Sequence, residues 1–359
     1  MKILVNALSG IGDALMFTPA IKKIKTDIPA AEIDALVMYK GVEDIYKNLP
    51  ELSKTIYFDF PNRSYAESLN FVLSLRNRYN ASINVYPSNR IEYNLISLLI
   101  GAKKRLAVKY LHGDFSNFGF VNSPRVEESF TLHNVEENIR MAELLTGKKA
   151  DLIAPLQFIL AKSDAEFADQ FVKRNGIQEG DLVIGFHPGC SPLKNHTKRR
   201  WDPKNFAHLG VKLINQTGAK ILLFGGKDEQ YLKDEICTAI NSAEAISVNT
   251  SSISETAAVM KRCSLFITND SSLMHVAAAM KLNVLALIGP TNINFIHPWQ
   301  TEYEIASLGL DCAPCFYYSP KPLTCSRKDL KFKCIRELSV NQVFETGMVM
   351  IKNIRSSGI

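Results

Sequence analysis

The run Thr268-Asn269-Asp270-Ser271-Ser272-Leu273-Met274-His275 joins a short apolar stretch, Leu265-Phe266-Ile267, to small residues from Val276 to Met280. The pattern predicts a buried strand, a turn and a helix start. Asp and Ser cap helices well, and a helix start presents unpaired backbone N–H groups and the positive end of the peptide dipoles. The turn is therefore a socket suited to a diphosphate. An N-cap without a ligand has the same sequence. His275, one turn into the helix, serves either as a structural histidine or as an orienter of the phosphate loop. Gly289-Pro290-Thr291 ends the next predicted strand, where a backbone N–H and a hydroxyl could join the same ligand. Gly and Pro also mark plain turns.

Three further groups lie at predicted strand ends. Ser9-Gly10-Ile11-Gly12-Asp13 follows the first strand, but Leu15 stands where a dinucleotide fingerprint needs its third glycine. Asp13 has two readings, a general base at the carboxyl edge of a sheet or the cap of its helix. His187-Pro188-Gly189-Cys190 ends another strand. Lys198-Arg199-Arg200-Trp201 follows it and reads either as a phosphate clamp or as a solvated basic surface. Trp201 reads as core. No G-x-S-x-G elbow, H-E-x-x-H or Walker A sequence occurs.

The elements that must carry these residues alternate. Strands are expected at 3–5, 32–37, 55–58, 81–85 and 104–108, with helices at 13–25 and 91–100. After a polar connection near 147–180, which holds an amphipathic segment at 163–174, the alternation restarts. Strands are expected at 182–186, 220–224, 245–248, 265–268 and 284–288. Helices are expected at 203–216, 228–240, 254–262, 272–280 and 341–354. Strands separated by helices imply parallel βαβ units, and 359 residues allow two such domains.

Forty-two Lys and Arg against 36 Asp and Glu leave a formal charge of +6. That suits an anionic substrate or membrane surface and is too weak for nucleic-acid binding. Asp13 interrupts the apolar N-terminal run before a signal-peptide core could form, and no apolar stretch approaches the roughly 20 residues of a membrane span. A cytoplasmic protein with at most peripheral membrane contact is expected. Four of the seven cysteines, Cys312, Cys315, Cys325 and Cys334, cluster late in the chain. They read either as a tetrathiolate site for zinc or iron or as a loop of free thiols.

Taken in order, Gly10-x-Gly12-Asp13 with Thr18-Pro19-Ala20, His187-Pro188-Gly189, the basic segment before Trp201, Asn269-Asp270-Ser271-x-x-x-His275 and Gly289-Pro290-Thr291 resemble glycosyltransferase family 9, the ADP-heptose:lipopolysaccharide heptosyltransferases. The resemblance covers nearly the whole chain. It implies an α/β fold of GT-B architecture, two Rossmann-like domains whose parallel sheets face across a cleft. An N-terminal acceptor domain (1–160) and a C-terminal nucleotide-sugar domain (161–338, with the cysteine-rich loop 312–334) would be followed by a C-terminal helix (339–359) packing back on the first domain.

It further implies metal-independent, inverting transfer of a heptose from ADP-heptose to a hydroxyl of the lipopolysaccharide inner core. Asp13 would be the base. Donor contacts would come from Gly12, His187, Lys198, Arg199, Asp270, Ser271, Ser272, His275, Gly289 and Thr291. The family's lysine two positions before the tryptophan is Arg199 here. Lys22, Lys103, Lys104 and Arg105 are candidate acceptor contacts on the side that meets a lipid-linked acceptor, at the inner face of the cytoplasmic membrane. Some family members carry a similar late cysteine cluster, so a structural zinc or iron is compatible with the family and expected away from the chemistry. The competing readings are a family 9-like transferase with another nucleotide-sugar or acceptor, a GT-B sugar-nucleotide epimerase acting on donor alone, and an interaction protein that retains only the fold.

Overall fold

The computed structural model describes residues 1–317 and 322–356. The chain divides into two units, one built on Met1–Ile159 and the other on Leu160 onward apart from the short piece Asn294–Ile296. The first half runs β1 (Lys2–Ala7), α1 (Ile11–Asp27), β2 (Glu32–Val37), α2 (Lys40–Tyr46), β3 (Lys54–Tyr57), α3 (Tyr65–Ser74), β4 (Ala81–Asn84), α4 (Ile91–Ile100), β5 (Lys104–Lys109), β6 (Arg125–Glu127) and α5 (Asn134–Thr146). From residue 160 follow α6 (Lys162–Arg174), β7 (Val183–His187), α7 (Pro203–Thr217), β8 (Lys220–Leu223), α8 (Gln230–Ile240), β9 (Ala245–Ser247) and α9 (Ile253–Met260). The chain continues with β10 (Leu265–Asn269), α10 (Ser272–Ala279), β11 (Asn283–Leu287), α11 (Ile293–Ile296), β12 (Tyr303–Ala306), α12 (Lys333–Arg336) and α13 (Val340–Ser356).

Each unit is built on one wholly parallel sheet, in the orders β3-β2-β1-β4-β5-β6 and β12-β11-β10-β7-β8-β9. Counted from its other edge, the second order winds like the first. In each unit the chain leaves its first strand toward one edge and its fourth toward the other. The carboxyl ends of β1 and β4, and of β7 and β10, therefore form the switch point at which α/β sheets bind ligands.

Helices cover both faces, so central strands read as continuous apolar runs; β7 and β10 are buried along their whole length. The helix after the basic run has its own start and stop signals. The Asp202 carboxylate accepts the Lys204 N–H at 2.9 Å, Pro203 is the first helical residue, and Gly218 closes α7 at φ 69°.

The structure adds to the sequence expectation in two ways. The buried face of α13, including Met350, Ile351 and Ile354, lies in the core of the second unit, and the helix packs on α7, β11 and β12. Its apolar stripe matches the sheet nearest in sequence. Helices α2, α3, α5, α11 and α12 and strands β6 and β12 were not anticipated. For α3 a signal exists, the reciprocal cap in which Ser64 Oγ accepts the Glu67 N–H and Glu67 accepts the Ser64 N–H. For α5 it is weak, because the cap is His133, whose Nδ1 accepts the Val135 N–H.

Candidate active site

In the second unit the two switch-point strands are joined by side chains. His187 ends β7, and its Nδ1 lies 2.8 Å from Ser271 Oγ, which follows β10. Ser271 is the N-cap residue of α10 but makes no side-chain cap bond, because its hydroxyl is engaged by His187 and by Thr268 Oγ1 at 3.2 Å. The expected cap chemistry is thus redirected. The first N–H groups of α10, starting at the half-buried Ser272, have no capping side chain and retain their capacity for an anion.

Asp270 does not cap the helix either. Its Oδ2 accepts from Arg199 NH1 and from Thr291 Oγ1, both at 2.5 Å, with all three residues buried. One carboxylate oxygen therefore holds together the basic loop, the turn after β10 and the Gly289-Pro290-Thr291 turn after β11. The Arg199 guanidinium also lies 5.1 Å from the Phe316 ring. The Nε atoms of Arg199 and Arg200 are buried without a hydrogen-bond partner among the described residues, so both retain donor capacity. Lys198 is exposed on the same loop. Trp201 is core as expected: it is fully buried, with Nε1–H donating to Leu338 O at 2.8 Å.

Glu229, absent from the sequence-derived set, completes the cluster. Its carboxylate meets His187 Nε2 at 3.1 Å and Arg200 NH2 at 3.2 Å. Burial alone would raise its pKa, but the hydrogen bond and charge of His187, the Gly226 N–H and Arg200 outweigh it and hold the carboxyl below its ordinary range. A Cβ on Gly189 would stand 1.9 Å from Glu229 Oε1, so only glycine admits the carboxylate there. The available signal is the Gly225-Gly226 turn after β8, which places an acid at the same sheet edge as His187. His275 is buried with its Nδ1 unpartnered among the described residues. Burial, opposed by Asp270, pushes it down to about 4, so it is a neutral imidazole.

The cysteine loop abuts this cluster. Cys315 and Phe316 N–H groups donate to Pro290 O, and Cys334 Sγ would lie 3.2 Å from a Cβ on Gly289. Cys315, Phe316 and Cys334 therefore lie against the Gly289-Pro290-Thr291 turn. Phe332 N–H donates to Cys325 Sγ at 3.3 Å and Arg327 NH1 to Cys312 Sγ at 3.7 Å. Among the described residues no three metal-ligating side chains gather closely enough to hold an ion, so the thiols as placed do not form a coordination shell.

In the first unit, Gly12 and Asp13 begin α1 directly after β1. Asp13 is half-buried and its Oδ2 accepts the Gly10 N–H at 3.1 Å. The cap reading is thus realised, and it fixes the carboxylate at the switch point in the way a base would need. Burial, then the Asp13 charge, pushes the Tyr46 hydroxyl far up; it stays protonated and donates to Ala14 O. Lys22 is exposed on α1. Lys103, Lys104 and Arg105 lie at the start of β5, the opposite sheet edge from Asp13. Arg105 is engaged in its own loop, donating to Val121 O and Ala102 O at 2.9 Å.

Two doubly wound units, an anion-ready helix start on one and a switch-point carboxylate on the other, are the parts of a GT-B glycosyltransferase. The profile of glycosyltransferase family 9 (heptosyltransferase) matches residues 69–323, and the chain belongs to that family. Over 98% of its length it is 27% identical to a lipooligosaccharide heptosyltransferase 2 of Campylobacter jejuni, 99% of which is covered. Among solved structures it shares its fold with Escherichia coli ADP-heptose lps heptosyltransferase II, at a TM-score of 0.74 and 20% identity, with 98% and 99% of the two chains covered. The E. coli heptosyltransferase WaaC solved with ADP-2-deoxy-2-fluoro heptose aligns at a TM-score of 0.68 and 15% identity, over 97% of this chain and 99% of that one.

Two outcomes follow from this geometry. Asp270→Ala leaves the buried Arg199 guanidinium without its carboxylate and should cost about 3–5 kcal/mol in urea unfolding; a loss under about 1 kcal/mol would show that the pair is not buried in solution. His275 binds fewer protons folded than unfolded. Its contribution is complete above its ordinary value of 6.5 and is lost as pH falls from there toward about 4. His275→Gln should therefore flatten the decline of stability over that interval by up to about one proton. An unchanged slope counts against a buried neutral imidazole.

Proposed function

We propose that this glycosyltransferase moves a heptose, with inversion, from ADP-heptose to a hydroxyl of the lipopolysaccharide inner core or a related acceptor. The observation that carries the reading is the engaged Ser271 hydroxyl, which His187 holds away from the cap position so that the start of α10 can receive the donor diphosphate. The names of the relatives, and the ADP-sugar bound by WaaC, support an adenine nucleotide and a heptose.

Asp13 takes the proton of the acceptor hydroxyl as that oxygen attacks the anomeric carbon. The bond from that carbon to the diphosphate oxygen breaks on the opposite side, and ADP leaves. The first N–H groups of α10, the remaining Arg199 donors and the unpaired charge of Lys198 stabilise negative charge growing on the diphosphate. Arg199 is neutralised by Asp270, so its contribution is directional donors more than net charge. The anionic acceptor is lipid-linked and the enzyme works as a peripheral protein at the inner face of the membrane. No helix among the described residues is long and apolar enough to cross a bilayer. Lys22 is the basic residue of the first unit assigned to acceptor contact.

A zinc or iron staple on Cys312, Cys315, Cys325 and Cys334 belongs to this reading for the loop alone, with the loop drawing the thiols together. Its support is the clustering of the four cysteines late in the chain. Metal analysis of the purified protein should find about one ion per chain, lost in Cys325→Ser; a metal-free protein removes the staple and leaves the transfer untouched.

For the reaction, thermal stabilisation should be larger with ADP than with UDP, GDP or CMP. Asp13→Asn should lower kcat by about 10²- to 10⁴-fold while ADP still stabilises the protein. Transfer at the wild-type rate in that variant removes Asp13 as base, and a UDP preference moves the donor to another sugar.

A further inference from the structure

Helices α3 and α4 fill the apolar cluster around Leu4, Leu36, Val72, Leu75 and Ile100 with their inner sides. Their outer sides carry Glu67, Asn70 and Ser74 on α3 and Glu92 on α4, all exposed, but large apolar side chains stand out among them. In α4 two polar residues point inward: Asn94 is buried against Asn84, Asn122 and the Asn117 carbonyl, and Ser97 against Ser82. Leu95 and Leu98 are 40% and 41% exposed instead. In α3, Tyr65, Leu69 and Leu73 recur every four residues, one stripe of a helix, and are 96%, 46% and 39% exposed. An ordinary surface helix carries charge on this side.

The ends of the same two helices are cationic. Arg76 and Arg78 follow α3, and Lys103 and Lys104 follow α4, all exposed. The two turns are tied by Asn77 N–H to Ile100 O at 2.9 Å and Lys104 N–H to Asn80 O at 3.3 Å. None of these four side chains makes an ion pair among the described residues. The nearby acids are engaged, Glu32 by Lys2 and Asp34 by the Tyr79 hydroxyl. An apolar stripe ending in unpaired cations is complementary to an anionic bilayer surface.

We propose that the outer face of α3 and α4 is the surface on which the protein rests on anionic lipid. Tyr65, Leu69, Leu73, Leu95 and Leu98 enter the headgroup region, and Arg76, Arg78, Lys103 and Lys104 meet lipid phosphates. This rests on the reading of a lipid-linked acceptor, and it gives Lys103 and Lys104 a membrane role in place of a sugar contact.

The test is co-sedimentation of the full chain with vesicles of phosphatidylcholine alone and of phosphatidylcholine mixed with phosphatidylglycerol. Binding is expected to the mixed vesicles only, and to weaken with salt. Leu69→Glu/Leu95→Glu and, separately, Lys103→Glu/Lys104→Glu should each lower it by about tenfold or more. The leucine variant should transfer to a soluble, deacylated acceptor at the wild-type rate. Equal sedimentation with both vesicle types, wild-type binding by both variants, or a wild-type dimer in solution that the leucine variant splits would overturn the proposal. Vesicle binding without any heptosyl transfer supports the docking surface and rejects only the reaction assigned above.

Discussion

The second unit is organised around a buried ion pair. Arg199 comes from the loop after β7, Asp270 from the turn after β10, and Thr291 from the turn after β11, and all three meet at one carboxylate oxygen. Removing two charges from water is costly, and the attraction between them recovers that cost only when their geometry is held. Here it is held by backbone on three sides and by the Phe316 ring beside the guanidinium. The pair is poor evidence for stability and good evidence for order: it fixes three separate loops relative to one helix start. Such fixed donors need no reorganisation when charge develops on a leaving group.

Both units use the same winding but place different chemistry at the switch point. In the second, His187 and Ser271 join the two central strands and leave a positive helix end open. In the first, the same position holds a carboxylate in the opening turn of α1. Cap and base are often treated as alternatives for such an aspartate. The Gly10 N–H donates to Asp13 Oδ2 and orients the side chain, which is compatible with either. Neither Rossmann order nor glycine turns determine which chemistry appears; the residue after the strand does.

Helix α4 reverses the usual division between inside and outside. Asn94 and Ser97 are satisfied by a hydrogen-bond network within the fold, so burying them carries no unpaired cost. The leucines turned outward lie outside their unit's core cluster, and the cations at the helix ends make no ion pair among the described residues. The same leucines blur the helical period, which is why α3 escapes a reading of apolar spacing although its capping box is present.

The sequence by itself determined what is local. A strand-to-helix turn depends on residues a few positions apart, so Gly10-Gly12-Asp13, Asp270-Ser271-Ser272, Gly289-Pro290-Thr291 and the alternation of strands and helices were readable in order. The tertiary structure decided what crosses long distances. Glu229 meets His187 from 42 residues away, and the Ser271 hydroxyl is taken by His187 across 84 residues, so neither the acid nor the redirected cap could be read from spacing. Likewise, only the tertiary structure shows that α13 packs on its own unit's sheet and that Lys103 and Lys104 stand at the sheet edge away from Asp13. Side-chain partners in a parallel sheet are chosen by which strands lie side by side, and that order is a property of the fold.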